Sequence, residues 1–190
     1  DKLVEKTIQL GMPAVALTDH GNMFGAIDFY QAAKKKGITP IIGEEFYMAP
    51  GSRTNREASR ANGEDTSYHL ILLAKDVTGY RNLMKLSSIG YTEGFYYKPR
   101  IDFEVLEKHH EGLICSSACL GGQIPNLILR GKENEARELT GRFNELFGRE
   151  HFYLELQYHG IKEQETVNRG LIKIATDLDI PLIATNDAHY

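Results

Sequence analysis

The sequence predicts an α/β protein whose strands curl into a barrel. Six short apolar segments alternate with segments of helical periodicity along the 190 residues, a pattern that produces parallel crossover units in an open sheet or a closed barrel. Side chains able to bind metals close several different strands, as they do in barrels. An open sheet would gather them at one switch point beside a glycine-rich turn, and the sequence contains no such turn.

In the first half of the chain, the spacing of apolar residues alternates between helical periodicity and continuous apolar runs. Residues 2–11 carry apolar side chains at helical spacing and predict a helix, and the apolar run 14–18 predicts a strand buried on both faces. Residues 24–36 return to helical spacing, and residues 38–48 predict the second strand. Residues 50–67 are polar and without periodicity, which is typical of a functional or mobile loop.

The second half continues the alternation after this loop. Further strands are predicted at residues 69–74, 113–117, 152–157 and 181–185. Helical spacing covers residues 77–90, 132–147 and 167–178. An aromatic and basic loop lies at residues 95–100.

Composition and charge narrow the classes of function. With 42% hydrophobic and 25% charged residues, the chain is predicted to fold as one globular domain over residues 1–190. The net charge of -4 provides no strong basic surface for gripping a nucleic-acid backbone, so most DNA contacts are expected from other parts of a larger protein. No apolar run approaches the roughly 18 residues that span a bilayer, and no leader opens the chain, which predicts no membrane association.

The ends of the sequence indicate the extent of the domain, and the cysteines indicate its redox compartment. The sequence starts on a helix and stops directly after a strand, so we expect a domain that is truncated at both ends. Cys115 and Cys119 offer no disulfide framework and fit a reducing, cytoplasmic compartment. Cys115 lies inside a strand and is predicted to pack in the core. Cys119 follows that strand in a loop that can present a thiolate to zinc, although one such pair of cysteines is a weak zinc signal.

Asp19 and His20 follow the first predicted strand directly. A carboxylate and an imidazole at the carboxyl edge of a sheet can meet a divalent cation there. The alternative is an ordinary turn, in which Asp19 bonds to local backbone and His20 is incidental. The motif alone does not choose between them.

Glu44 and Glu45 interrupt the apolar second strand. Because side chains alternate in a strand, one glutamate is expected to face inward with the core and the other away. A buried carboxylate needs a cation or a hydrogen-bond donor, and we predict that Glu45 is the inward residue, although the period does not decide it.

His69 stands at the start of the third predicted strand. In a purely parallel barrel this position would lie at the wrong mouth. The connection before it contains no predicted helix, so the second and third strands are predicted to pair antiparallel, which brings His69 to the end near Glu45. The alternative is a neutral histidine that is hydrogen-bonded in the core.

Asp187 and His189 close the last strand. They stand two apart, so in extended chain both side chains project to the same side, as one metal or an adjacent pair requires. A simple turn is the alternative. Carboxylates, imidazoles and one thiol thus recur at strand ends, a mixed set of ligands suited to zinc, manganese or iron.

Five motifs, taken together in this order, resemble a known family. They are Ala16-Leu17-Thr18-Asp19-His20-Gly21-Asn22, Ile41-Ile42-Gly43-Glu44-Glu45-Phe46-Tyr47, Tyr68-His69-Leu70-Ile71-Leu72-Leu73-Ala74-Lys75, Gly94-Phe95-Tyr96-Tyr97-Lys98-Pro99-Arg100 and Ala184-Thr185-Asn186-Asp187-Ala188-His189-Tyr190. The sequence is similar to the PHP (polymerase and histidinol phosphatase) domain of bacterial DNA polymerase III alpha subunits over essentially its whole length.

The resemblance implies a fold and a set of metal ligands. The implied fold is a distorted seven-stranded (β/α) TIM-like PHP barrel, here without its first strand, which in family members carries a His-x-His motif with two further ligands. The family holds up to three divalent metals, zinc or manganese being expected here, and the resemblance favours Glu45 over Glu44. The implied metal ligands are His20, Glu45, His69, Cys119, Asp187 and His189.

The resemblance also implies a function within a replicative DNA polymerase. The expected chemistry is metal-assisted phosphoester hydrolysis of 3′-5′ exonuclease or pyrophosphatase type, with Asp19, His20 and Asp187 as catalytic residues and Lys98 and Arg100 as phosphate contacts. Expected partners are DNA, bound through the full-length polymerase, a proofreading subunit and the sliding clamp. Two alternatives stay open: a non-catalytic scaffold that stabilises the polymerase and docks a proofreading subunit, and a free-standing phosphatase.

Overall fold

The computed structural model describes residues 2–56 and 65–189, and residues 57–64 of the predicted long loop lie outside this description. The helices are α1 (Lys2–Gln9), α2 (Ala26–Lys35), α3 (Val77–Thr92), α4 (Phe103–His109), α5 (Gln123–Leu129), α6 (Glu133–Phe147) and α7 (Lys162–Leu178). The strands are β1 (Ala14–His20), β2 (Thr39–Met48), β3 (Tyr68–Ala74), β4 (Arg100–Ile101), β5 (Leu113–Ser116), β6 (Phe152–Leu156) and β7 (Leu182–Ala184).

The strands form a single curled sheet. Its order is β1-β2-β3-β5-β6-β7, and the two-residue strand β4 pairs with β2 beside this path. The pairs β1–β2, β5–β6 and β6–β7 are parallel, whereas β3 runs antiparallel to both of its neighbours. Within the described residues β1 and β7 are the two edges, so the sheet is a half-barrel. The α/β class and the antiparallel β2–β3 pair are as predicted.

Three short elements were not predicted from the sequence. Strand β4 has two residues, and helices α4 and α5 have seven each, about two turns, which is too short for a periodic pattern to be recognised. The signal for α4 was a cap: the Asp102 carboxylate accepts a hydrogen bond from the backbone N–H of Val105.

Among the described residues, two apolar clusters pack against the sheet. The larger joins side chains of β2, β3, β5 and β6 to helices α3 to α7, and the smaller packs α1 and α2 against β1 around Val4, Phe29 and Ala33. Strand β2 is buried at every position from Gly43 to Met48. Both of its faces are therefore covered, as is usual for sheets with helices on each side, and every polar side chain on this stretch needs a partner.

None of the helices in the described ranges is both long and apolar enough to cross a bilayer.

Candidate metal centre

The strand pairing brings three predicted ligands to one mouth of the half-barrel. His20 ends β1 and stands in register with Glu45 on the parallel strand β2. His69, at the start of β3, stands in register with Tyr47 of β2, because these two strands run antiparallel. Because β3 runs antiparallel to β2, the start of β3 lies at the same mouth as the end of β1, and His69 is near Glu45 as predicted.

Glu45 contacts both histidines of this cluster. Its Oε1 lies 2.6 Å from Nδ1 of His20 and 3.1 Å from Nδ1 of His69, and the side chain is buried with 3% exposure of the residue. An ionised carboxylate only accepts, so His20 donates through Nδ1 and its Nε2 is left free to serve as a ligand. The buried carboxylate has the partners that its burial requires.

Cys119 reaches the cluster from the loop after β5. Its Sγ lies 3.5 Å from Nδ1 of His69, and the preceding Ala118 adopts a left-handed φ of 60°. The carbonyl of Gly121 accepts from the backbone N–H of His69, and a Cβ at Gly121 would stand only 2.9 Å from the His69 ring. The loop can therefore close on His69 because residue 121 is glycine. Burial raises the pKa of the Cys119 thiol to about 11, and the nearby carboxylate of Asp187 acts in the same direction.

Asp187 and His189 approach from the end of β7, in a different conformation from the one expected. Asp187 has a φ of 46°, so the chain is not extended there and the argument from alternating side chains was wrong. The His189 ring nevertheless lies 4.9 Å from the His20 ring, centre to centre. Its Nδ1 donates to the carbonyl of Asp187 over 2.7 Å, which raises the pKa of His189 and leaves Nε2 of the neutral ring as a free ligand.

The donor atoms fit a divalent cation. The ligand atoms of Glu45, His69 and Cys119 all lie within 4.8 Å of one another. Two ligands of one zinc ion stand at most about 4.6 Å apart, since each bond measures about 2.0–2.3 Å. Oxygen, nitrogen and sulfur donors together suit zinc. Manganese, a harder Lewis acid that prefers oxygen ligands, is the alternative. Small side-chain movements would bring these three donors to bonding distance.

Asp19 does not join this cluster. Adjacent residues of a strand face opposite sides, and Asp19 lies across from Glu44 in the register, while His20 lies across from Glu45. The Asp19 carboxylate accepts from the backbone N–H of Gly25, at the start of α2. The expected catalytic role of Asp19 is therefore corrected: its carboxylate lies on the other face of the sheet and supports the β1–α2 connection.

Glu44 is also buried, which contradicts the expectation that one of the two glutamates faces away from the core. Burial raises the pKa of Glu44 to about 8, partly offset by a hydrogen bond to Ser87 of α3 and increased by the charge of Asp19. Its Oε2 has no hydrogen-bond partner among the described residues. The carboxyl group is thus mainly protonated at neutral pH.

We expect Glu44→Gln to remove a pH dependence of stability. The folded protein binds this proton more tightly than the unfolded chain, so the contribution of Glu44 is fully present below about pH 4.5 and is lost as the pH rises to about 8. The slope is at most about 1.4 kcal/mol per pH unit. Urea unfolding should show the variant more stable than the parent at about pH 8, with the difference shrinking at lower pH. Parallel profiles for the two proteins would refute this.

The two expected phosphate contacts are placed very differently. Arg100 is 0% exposed, and its guanidinium donates to the backbone carbonyls of Arg53, Asn55, Thr66 and Gly94. This placement corrects the expectation of a phosphate contact, because the donors are already used inside the fold. Lys98 is exposed, with its ammonium 5.0 Å from the centre of the Tyr47 ring, which in turn meets the His69 ring at 5.5 Å.

A second polar network supports the loop that carries Asp187. The buried Glu155 of β6 accepts from Ser116, Gln157 and Thr185, so it links β5 and β6 to the end of β7. His159 follows β6 in the chain and belongs to the same network. Its Nδ1 accepts from the amide of Gln164, and its Nε2 therefore donates to the carbonyl of Asn186. Both histidine nitrogens are used, so His159 holds the loop rather than a metal.

Metal affinity is expected to depend on pH through Cys119. A thiol with a pKa of about 11 is protonated at neutral pH and must release its proton to bind a cation. The zinc affinity should therefore rise by up to about tenfold per pH unit below that value. Calorimetric titration with Zn²⁺ at pH 7, in buffers of different ionisation enthalpy, measures the number of protons released on binding. Cys119→Ala should release one proton fewer than the parent. An unchanged proton count would show that the thiol does not bind the ion.

Comparisons with known proteins identify the family to which the chain is similar. The family model described as PHP domain matches residues 1–159. DNA polymerase III subunit alpha from Borreliella burgdorferi is 54% identical over 188 residues, and the same subunit from Treponema pallidum is 51% identical over 189 residues. These matches cover 99% and 100% of this chain but 16% of each relative, so the chain spans about a sixth of their length.

One solved structure aligns with the whole chain at low similarity. It comes from Bifidobacterium adolescentis, is assigned as a metal-dependent phosphoesterase, and has a TM-score of 0.49 at 16% identity. The alignment covers 100% of this chain and 82% of that chain, but a similarity at this level carries no argument of its own. The family match, over most of the chain, is sufficient: the chain belongs to the PHP domain family.

Proposed function

We propose that this chain is the PHP domain of a bacterial DNA polymerase III alpha subunit and that its metal centre hydrolyses phosphoester bonds. The observation that carries the chemistry is the convergence of a carboxylate, an imidazole and a thiol from Glu45, His69 and Cys119 at one mouth of the sheet. The polymerase context rests on the sequence similarity along the whole chain.

The proposed ligands form two groups. Glu45, His69 and Cys119 would hold the first ion, and His20, Asp187 and His189 would complete a centre for up to three ions. A bound divalent cation, zinc or manganese, supplies Lewis acidity that lowers the pKa of water and offsets charge on the phosphate.

Two further roles fall to residues of the same mouth. The His20 ring is fixed by its bond to Glu45, so its free Nε2 is a ligand or accepts a proton at a defined position. Asp187, whose carboxylate is partly exposed, is the proposed acceptor for the proton of the attacking water. Lys98 is the proposed phosphate contact, because its ammonium is exposed beside Tyr47.

The test uses the full-length protein that carries this chain. Protein stripped by a chelator and reloaded with Zn²⁺ or Mn²⁺ receives a single-stranded oligonucleotide labelled at its 3′ end, and pyrophosphate in a second reaction. We expect metal-dependent release of a nucleotide or of phosphate, and a fall of about a hundredfold or more for His69→Ala. The released product identifies the exonuclease or pyrophosphatase type.

His110→Ala is the matched control. His110 bonds the carbonyl of Glu107 and contacts the Phe147 ring, outside the cluster, so hydrolysis should be unchanged. Bound metal without release of either product would instead support the scaffold that docks a proofreading subunit. In either case we propose a cytoplasmic setting, with most DNA contacts, and those to a sliding clamp, made by the rest of the polymerase.

A further inference from the structure

The segment Phe95-Tyr96-Tyr97-Lys98, which we call the aromatic loop, borders the metal centre. Pro99, directly after it, packs against Gly21, the residue that follows His20: a Cβ at Gly21 would stand 3.0 Å from Pro99 Cγ. The Lys98 ammonium lies over the Tyr47 ring, which meets His69 edge-on. The aromatic loop is therefore held next to two proposed ligands.

The base of the loop is fixed, while its tip is open. The Arg100 guanidinium, held by backbone carbonyls, lies 5.0 Å from the centre of the Tyr96 ring. The Tyr96 ring in turn contacts the Tyr97 ring at 4.6 Å, and the bridge between Tyr96 and Lys98 closes a tight turn. Tyr97 sits on this layered support with 77% of the residue exposed.

Tyr97 also has a strained backbone. Its φ of 59° lies in the left-handed region, which residues with a Cβ enter at an energetic cost. Packing does not explain the choice of tyrosine, because most of the ring is exposed to solvent. A large aromatic side chain kept strained and exposed, in a loop that borders the proposed metal ligands, points to a bound molecule as its partner.

We propose that Tyr97 and Lys98 form a subsite for the unpaired terminal nucleotide of a single strand, in which Tyr97 stacks on the base and Lys98 contacts the adjoining phosphate. The subsite rests on the proposed hydrolysis, since it would place the terminal phosphodiester at the metal centre. Aromatic stacking accepts any base, because each has a π face, but requires one that is free of the duplex stack. It also suits a chain with a net charge of -4, whose basic residues are outnumbered by acidic ones, so that binding to the phosphate backbone alone would be weak.

Photocrosslinking in the full-length protein tests the contact without requiring turnover. The probe is a single-stranded oligonucleotide with 5-iododeoxyuridine at its 3′ end, and the adduct is located by peptide mass spectrometry. We expect the adduct on Tyr97, its loss in Tyr97→Ala and a reduced yield in Lys98→Ala. Tyr30→Ala, an exposed tyrosine of α2, is the control with unchanged yield. An adduct that forms elsewhere in this domain, or survives Tyr97→Ala, overturns the subsite.

Kinetics separate the subsite from the proposed function. For Tyr97→Ala we expect KM to rise about tenfold for an oligonucleotide with a normal 3′ base, with kcat nearly unchanged and little effect on one with an abasic 3′ end. Nucleotide release that is indifferent to Tyr97 would overturn the subsite alone. A Tyr97 adduct without any release would overturn the hydrolysis and leave a binding subsite.

A second variant guards against misfolding. Tyr97→Gly removes the backbone strain, so its melting temperature should equal or exceed that of the parent while the adduct is lost. A lower melting temperature would assign Tyr97 a structural role. If Tyr97→Ala weakens the binding of another protein and leaves nucleotide binding unchanged, the exposed ring is a protein contact and the subsite is refuted.

Discussion

Replacing Arg100 by Met is expected to destabilise the protein by about 3–5 kcal/mol, a large part of the stability of an ordinary domain. The fully buried guanidinium satisfies carbonyls on both sides of residues 57–64, with Arg53 and Asn55 before them and Thr66 after. Methionine fills similar space but cannot donate to these partly buried carbonyls, and each lost donor costs up to about 1–3 kcal/mol where the acceptor is left buried and unpaired. Urea unfolding measures the loss.

Two further variants make this prediction specific. Arg100→Lys keeps the charge but replaces the planar fork by one ammonium that cannot reach all the carbonyls, so about half of the loss should remain. Arg137→Met is the surface control: its ion pair with Asp177 is half exposed, and at most about 1 kcal/mol should be lost. If Arg100→Met costs no more than Arg137→Met, the buried guanidinium does not hold these segments together.

The sequence predicted the long elements well because their apolar patterns are strong. Strand β5 was expected at residues 113–117 and is observed at Leu113–Ser116, and the helix expected at 132–147 is observed at Glu133–Phe147. The antiparallel pairing of β2 and β3 was predicted because the sequence pattern of that connection showed no helical periodicity. These features depend on local periodicity and on loop length, both of which can be read from one sequence.

The assignment of residues to the two faces of a strand was less reliable. Alternation predicted that either Glu44 or Glu45 would point away from the core, but helices cover both faces of β2 and both glutamates are buried. For the same reason Asp19, next to His20, belongs to the contacts of α2 rather than to the metal centre. The periodicity of side chains along a strand shows which residues share a face of the sheet. It does not show which elements of the fold cover that face.

Side-chain partners that come from distant segments were missed. Glu155 interrupts an apolar strand in the same way as Glu45, and this signal could have marked it, but its partners Ser116 and Thr185 come from β5 and from the loop after β7. Arg100 looked like a phosphate contact because its loop is basic, and its burial depends on carbonyls that lie far away in the sequence. Such contacts follow from the tertiary fold and not from spacing.

The adjacent pair Glu44 and Glu45 gives the sharpest test of the metal centre, because two buried glutamates of one strand face opposite sides. Glu45→Gln removes the charge that both His20 and His69 contact, and it presents an amide that can only donate with its nitrogen. We expect the affinity for Zn²⁺ or Mn²⁺ to fall by at least about a hundredfold, and hydrolysis to fall with it. Calorimetric titration of chelator-stripped protein measures the affinity.

Glu44→Gln should leave the metal affinity within about threefold of the parent, since its amide replaces a carboxyl group that is already mainly neutral. Stability adds an independent readout, because an ion that binds only the folded state at a hundred times its Kd stabilises it by about 2.7 kcal/mol. That gain, measured for each protein against its own metal-free form, should persist in Glu44→Gln and disappear in Glu45→Gln. If both variants lost metal affinity equally, the total charge of β2 would determine the affinity. The assignment of Glu45 as a ligand would then fail.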